Sequence, residues 1–210
     1  HIELIERVEE SLSLNHLQIS SMAHSLSHEG LRYFGLIEVR SRELREQDYA
    51  YVLGIRNSHD KTFPAGLVAG ASVFVCDNLS FSGEIRVTRK HTRFIRRDLV
   101  TLVQGSIGKL MTAWQHQDQR IKRYKEHDLT DEQVHDIVIR SVDVGVLSNR
   151  KLPDLLKEWR EPSHEEFNGR NAWSLFNSYT EVLKGNLAEL PRRTERLHGL
   201  LDSEIGWWAN

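Results

Sequence analysis

Residues 84–114 read EIRVTRKHTRFIRRDLVTLVQGSIGKLMTAW, and the hydrophobic period changes partway along them. Up to Thr88, charged or polar residues alternate with Ile85 and Val87, the pattern of a strand with one wet face. After residue 94, Leu99, Leu102, Val103, Ile107, Leu110, Met111 and Trp114 recur at three- and four-residue steps. That spacing predicts one long helix continuing toward Lys125. The change of period divides the chain into strands before it and helices after it.

Working upstream, Glu84–Thr88 is the last of five predicted strands. Gly66 to Leu79 carries Val68, Val73, Phe74 and Val75 between glycines and reads as one central strand. Tyr49 to Ile55 and Leu31 to Val39 are short runs of β-formers. Before them, Leu17 and Ile19 lead into a serine-rich run to Ser27, which favours extended backbone because serine competes with the helix ladder. His28-Glu29-Gly30 supplies a hairpin turn, with glycine taking a positive φ at no steric cost. The opening segment places Ile5, Val8 and Leu12 on one face of a short amphipathic helix. Short loops between consecutive strands predict an antiparallel meander.

Downstream, Thr130-Asp131-Glu132-Gln133 has the form of a capping box and starts another helix. A third surrounds Leu152 to Trp159, with Pro153 in its first turn. Ala172 to Leu183 and a helix beginning at Pro191 complete the C-terminal half. The expected fold is therefore α+β: one domain over residues 1–210, mainly strands in 1–94 and mainly helices in 95–210, with the helices covering one sheet face.

Composition limits the function. The chain has 210 residues, 39% of them hydrophobic and 28% charged, enough for a substantial core. No run approaches the roughly 18 apolar residues that cross a bilayer, and no segment has the form of a signal peptide. A cytoplasmic protein of a bacterial host, without a membrane partner, is the expectation. Cys76 is the single cysteine, which rules out intrachain disulfides and multi-cysteine zinc sites. It lies in the apolar run Val73-Phe74-Val75-Cys76 and reads as a buried structural thiol. The formal net charge is −2, so no general attraction to nucleic acid follows from the sum.

The distribution of charge says more. Arg86, Arg89, Lys90, Arg93, Arg96 and Arg97 follow one another with His91 and Thr92 among them and no acid between. On a strand, Arg86, Thr88 and Lys90 would share a face, and the later arginines would open the long helix. Guanidinium groups beside helix-start amides make a phosphate site. The competing reading is a solvated face paired with the acidic helical stretches.

Other constellations are weaker. Arg56-Asn57-Ser58-His59-Asp60-Lys61 has the residue types of a metal or acid–base site, but six polar residues in a row read first as a turn. Asp60 or Asp77 with Glu84 could serve a metal-dependent nuclease. Yet Arg86 stands where such sites carry a lysine, and a guanidinium cannot act as a base. His24 and His28 are four apart, a spacing that suits a metal only on a helix, and they fall on a strand and turn. Trp207 and Trp208 read as docking the last helix or a neighbouring subunit rather than as a base-stacking pair. No phosphate-binding glycine loop, nucleophile elbow or zinc pattern is present, so a covalent hydrolase or a nucleotide triphosphatase is not expected; no metal or other cofactor is expected either.

Asn57-Ser58-His59-Asp60, then Val73-Phe74-Val75-Cys76-Asp77-Asn78, then Arg89-Lys90-His91-Thr92 occur in an order that resembles a family. It is the phage- and plasmid-encoded domain of unknown function 932. Asn171 to Glu181 (NAWSLFNSYTE) and Leu190-Pro191-Arg192-Arg193-Thr194 resemble its C-terminal helices, and the likeness covers roughly residues 15 to 202. It implies a phage or mobile-element origin, and its motifs contain the polar residues Asn57, His59, Asp60, Asn78, His91 and Thr92. A helix, a meander and a long crossing helix also resemble the core of phage single-strand annealing proteins, which form rings on DNA.

The leading expectation is a non-enzymatic nucleic-acid binder, of single-stranded DNA and as a homo-oligomer, with Arg86, Arg89, Lys90, His91, Thr92, Arg93, Arg96 and Arg97 at the contact. A phage-encoded protein that binds and blocks a host protein is the alternative from another class, and the metal nuclease ranks third.

Overall fold

In the computed structural model, which describes residues 1–40, 49–73, 78–185 and 189–207, the first helix is α1 (Ile2–Leu14). It turns Leu4, Val8, Ser11 and Leu12 inward. Five strands follow: β1 (Gln18–Ser27), β2 (Arg32–Arg40), β3 (Tyr49–Ser58), β4 (Ala65–Val73) and β5 (Asn78–Arg89). They lie in one sheet in sequence order, the meander that the short connections predict.

The β1–β2 turn uses three successive left-handed residues, His28 (φ 53°), Glu29 (φ 57°) and Gly30 (φ 82°). Only glycine adopts this region without penalty, so the two side-chain-bearing positions need outside support. It comes from His1, whose Nε2 lies 2.9 Å from the Gly30 carbonyl, and from the His59 amide, which donates to Leu31 O at 2.7 Å.

Burial alternates along β2, with Tyr33, Ile37 and Val39 buried and their neighbours half-buried. The antiparallel register sets Tyr33 opposite Asn57, Gly35 opposite Ile55, Ile37 opposite Leu53 and Val39 opposite Tyr51. These residues share one sheet face. Tyr51 meets Trp114 on this face, ring centroids 4.9 Å apart. Gly35 has a steric reason to be glycine: a Cβ there would stand 2.1 Å from Tyr33 Oη, which His24 Nδ1 holds at 2.9 Å. Gly35→Ala is expected to cost about 1–3 kcal/mol in urea denaturation, the range for overpacking. The cost should shrink on a Tyr33→Ala background; equal costs on both backgrounds would show that the ring is not the obstacle.

Three readings of the sequence are corrected. The apolar stretch 66–79 is not one strand, because β4 ends at Val73 and β5 begins at Asn78. An apolar run by itself does not locate a chain reversal. Cys76 and Asp77 lie outside the described residues. The polar run 56–61 is not all turn: Arg56, Asn57 and Ser58 complete β3, where cross-strand pairing overrides their turn propensity. The single long helix is two, α2 (Ile95–Ile107) and α3 (Leu110–Glu126), interrupted at Gly108-Lys109. Gly105 and Gly108 weaken the helix there, each by about 1 kcal/mol relative to alanine.

Four more α-helices follow: α4 (Asp131–Asp143), α5 (Leu152–Arg160), α6 (Ala172–Leu183) and α7 (Leu190–Glu204). The capping box read at Thr130 forms, with Thr130 Oγ1 accepting from the Gln133 amide at 3.2 Å and Gln133 Oε1 accepting from the Thr130 amide at 2.9 Å.

The chain clusters into two compact units. The first comprises His1–Ser72 and Gly83–Trp114; the second comprises Val73–Ser82 and Gln115–Asn210. In the first, Leu4, Val8 and Leu12 of α1 and Val103 and Ile107 of α2 are buried, and α1, β4 and α2 meet around Leu4, Leu67 and Val103. The expected cover of helices on a sheet face is thus supplied here by α1 and α2. In the second, α4 to α7 build their own core from Val134, Ile137, Leu155, Trp159, Trp173, Phe176, Tyr179, Leu197 and Leu201. That core differs from the expected use of the whole helical half as a sheet cover. Periodicity locates an apolar stripe but not the surface it meets.

Candidate nucleic-acid interface

The basic strip begins on a strand and ends on a helix. β5 stops at Arg89, Lys90 to Phe94 cross to α2, and Arg96 and Arg97 fall in its first turn. Lys90 therefore follows the end of the strand and does not share a strand face with Arg86 and Thr88 as expected. The side chains of Arg86, Arg96, Asn78 and Glu84 lie outside the described residues. Arg89, Lys90, Thr92, Arg93 and Arg97 are exposed, and His91 is half-buried.

Two neighbours that the sequence reading passed over shape this surface. Asp98, the first acid after the strip, bonds Arg89 through Nη2 and meets Arg97 at 3.3 Å. The Arg89 hydrogen bond foremost, then that of Arg97, holds the Asp98 carboxyl below the usual carboxylate range. For Arg89 and Arg97, the counter-charge is therefore the residue that follows the strip. Phe94 stands in the middle of the cations at 44% exposure. The Arg93 guanidinium lies 4.6 Å and that of Arg97 5.0 Å from the centroid of its ring. The signal for Phe94 was present: it is the one aromatic within the run from Arg86 to Arg97.

The polar motif residues partly converge. Asn57 Nδ2 lies 3.0 Å from His1 Nδ1, and the His1 and His59 rings are 4.0 Å apart. If Nδ1 accepts from the Asn57 amide, the His1 ring is a neutral Nε2–H tautomer that donates to Gly30 O. Asp60 binds Arg32 Nε at 2.7 Å and accepts from the Thr62 amide at 3.1 Å. Hydrogen bonds from Thr62 and then Arg32 hold its carboxyl far below the usual range. These partners fix the turn between β3 and β4; of the other acids in the nuclease reading, Asp77 and the Glu84 side chain lie outside the described residues. His91 is not joined to this group by any hydrogen bond among the described residues, and its buried Nε2 has no hydrogen-bond partner. No three His, Cys, Asp or Glu side chains gather in metal-binding geometry among the described residues.

In the second unit, a buried polar network had not been anticipated. Tyr124 Oη donates to Asp202 Oδ1 at 2.7 Å and meets His198 Nδ1 at 3.1 Å. With the hydroxyl proton committed to the carboxylate, His198 is the donor to Tyr124 and carries its proton on Nδ1. Its bare Nε2 is buried with no hydrogen-bond partner, and its ring stacks on that of Phe176 with centroids 4.6 Å apart. Arg120 Nε stands 3.2 Å from Asp202 Oδ2 but outside hydrogen-bond geometry, so that contact is charge–charge. Tyr124, His198 and Arg120 are buried and Asp202 is half-buried, so the network lies at the edge of the core. Trp207 docks against His116, ring centroids 5.6 Å apart, while Trp208 lies outside the described residues.

Among the described residues no helix is long and apolar enough to cross a membrane. A family model described as Domain of unknown function (DUF932) matches residues 14–198. No curated protein and no solved structure matches the chain.

Proposed function

The chain belongs to the domain of unknown function 932 (DUF932) family, and from that premise we propose a non-enzymatic nucleic-acid-binding protein of phage or mobile-element origin whose contact surface is the segment 86–97. The observation that carries this reading is the exposed group of Arg89, Lys90, Arg93 and Arg97 around a solvent-facing aromatic ring at the strand-to-helix junction. Residues 86–98 hold six cations and one carboxylate, so the segment keeps a strong positive balance after Asp98 has neutralised part of Arg89 and Arg97. On a chain of net charge −2 such a local excess directs contact to one place. Phosphates supply the affinity and counterion release supplies its salt dependence. The α2 N-terminus adds amide dipoles of the sign that favours a phosphate, with the Phe94 side chain making no cap in front of them. Assembly as a homo-oligomer along single-stranded DNA fits the architectural likeness to annealing proteins.

Fluorescence anisotropy with labelled single-stranded and duplex oligonucleotides over a range of salt tests the reading. The wild-type chain is expected to bind, with affinity falling steeply as salt rises. The triple variant Arg89→Ala, Lys90→Ala, Arg93→Ala should bind more weakly, and its log–log salt slope should flatten by about 2, from roughly 0.7 per lost phosphate contact on a single strand. An unchanged affinity and slope in that variant, or no binding by the wild type at low salt, would overturn the assignment.

A further inference from the structure

We infer that Phe94 is a stacking platform for an unpaired base, so that this surface selects single-stranded over duplex nucleic acid; the inference rests on the nucleic-acid reading above. Neither the core nor the helix explains a phenylalanine at this position. The residue is 44% exposed, so it is not part of the buried core. It occupies the N-cap of α2, where Ser, Thr, Asp and Asn are preferred, and it makes no side-chain cap bond.

The backbone nevertheless fixes the point from which the ring projects. The Ile95 amide donates to Thr92 O at 3.1 Å, and the Asp98 amide donates to Phe94 O at 3.1 Å. The platform is thus anchored at the first turn of a helix while its ring faces water. The Arg93 and Arg97 guanidiniums lie over the ring, 4.6 and 5.0 Å from its centroid, so a stacking base takes the place of one of them. A phosphate competes well for such exposed guanidiniums, because a charge-assisted, bidentate bond is stronger than a cation–π contact in water.

A base can then lie on the ring while Arg93 and Arg97 turn to the phosphates beside it. Every base has a π-face, so the contact is tolerant of sequence. In a duplex those faces are already stacked within the helix, whereas a single strand offers them freely. The same ring therefore discriminates strands without reading sequence.

The test compares Phe94→Leu and Phe94→Trp with wild type, by anisotropy on a single-stranded oligonucleotide and on its duplex, with circular dichroism to confirm that each variant is folded. Leucine keeps an apolar side chain and removes the π-face; tryptophan keeps and enlarges it. The expected result for Phe94→Leu is a loss of about 5- to 100-fold in single-strand affinity. Its duplex affinity and salt slope should stay near wild type, and Phe94→Trp should bind single strands at least as tightly as wild type. Wild-type affinity of Phe94→Leu for single strands, or equal losses on both substrates, would overturn the inference while leaving the phosphate-binding reading standing. Failure of the wild-type chain to bind either substrate at low salt is a different result, and it would remove both.

Discussion

Asp202→Ala is expected to destabilise the chain by about 3–5 kcal/mol, the cost of removing one partner of a buried charge pair. Asp202 serves two groups from another helix: it accepts from Tyr124 Oη at 2.7 Å, and its other oxygen faces Arg120 Nε at 3.2 Å. The Arg120 side chain is only 7% exposed. Arg120 Nη1 also donates to Gln117 Oε1, a neutral amide, at 3.0 Å. Alanine at 202 would thus leave a largely buried guanidinium facing less opposing charge, and a tyrosine hydroxyl would lose its best acceptor. Urea denaturation measures the loss directly. Replacing both charges by apolar residues, Arg120→Met with Asp202→Leu, should recover much of it, because desolvation then disappears along with attraction. A cost below about 1 kcal/mol for Asp202→Ala would contradict the buried-pair account.

Acidification is expected to weaken the same region through His198. Burial foremost, and then the Arg120 charge, hold the His198 imidazole well below its ordinary value of 6.5. The folded chain resists a proton that the unfolded chain accepts, so the contribution of this residue is complete above pH 6.5 and is lost as pH falls toward the folded value. The slope in that window is about 1.4 kcal/mol per pH unit for one proton. The groups facing the ring are Tyr124, Phe176, Arg120 and the Asp202 end of the network, and none accepts a hydrogen bond from a protonated Nε2. Measuring stability by urea at several pH values between 7.5 and 5 should show a shallower decline for His198→Gln than for wild type. Parallel curves would assign the acid sensitivity to other residues. Asp60 and Asp98 do not confuse this window. Their carboxyls are held below the ordinary value of 3.8, so what they contribute is lost only at still lower pH.

Much of the candidate site was legible along the chain. The run from Arg86 to Arg97 needs only reading order to be found, and the change of period beyond it places the run at a strand-to-helix junction. Phe94 and Asp98 were equally visible as letters, but their roles depend on three-dimensional placement. A phenylalanine among leucines and valines is ordinarily core, and only its 44% exposure makes it a surface group. Asp98 lies nine residues from Arg89, a distance at which the strand-to-helix turn decides whether the two side chains meet. The motif residues Asn57, His59 and Asp60 were marked as one polar group. The structure gives them separate partners, His1 for the first two and Arg32 with Thr62 for the third.

The sequence by itself determined the order of elements and many of their ends. A period of two, a period of three to four, a capping box at Thr130 and a glycine at position 30 are each written within a few residues, because the backbone contacts they express span only a few residues. Tertiary structure decided what each apolar stripe covers and which polar groups leave water. Tyr124 and Asp202 are 78 residues apart, and no local pattern couples them. Their contact exists because α3 and α7 pack together, which desolvates both groups at once. Hydrophobic burial is non-directional, so a stripe specifies that it will be covered but not by what. Polar burial is the opposite: it is tolerated only where the partners converge, and convergence is a property of the folded chain.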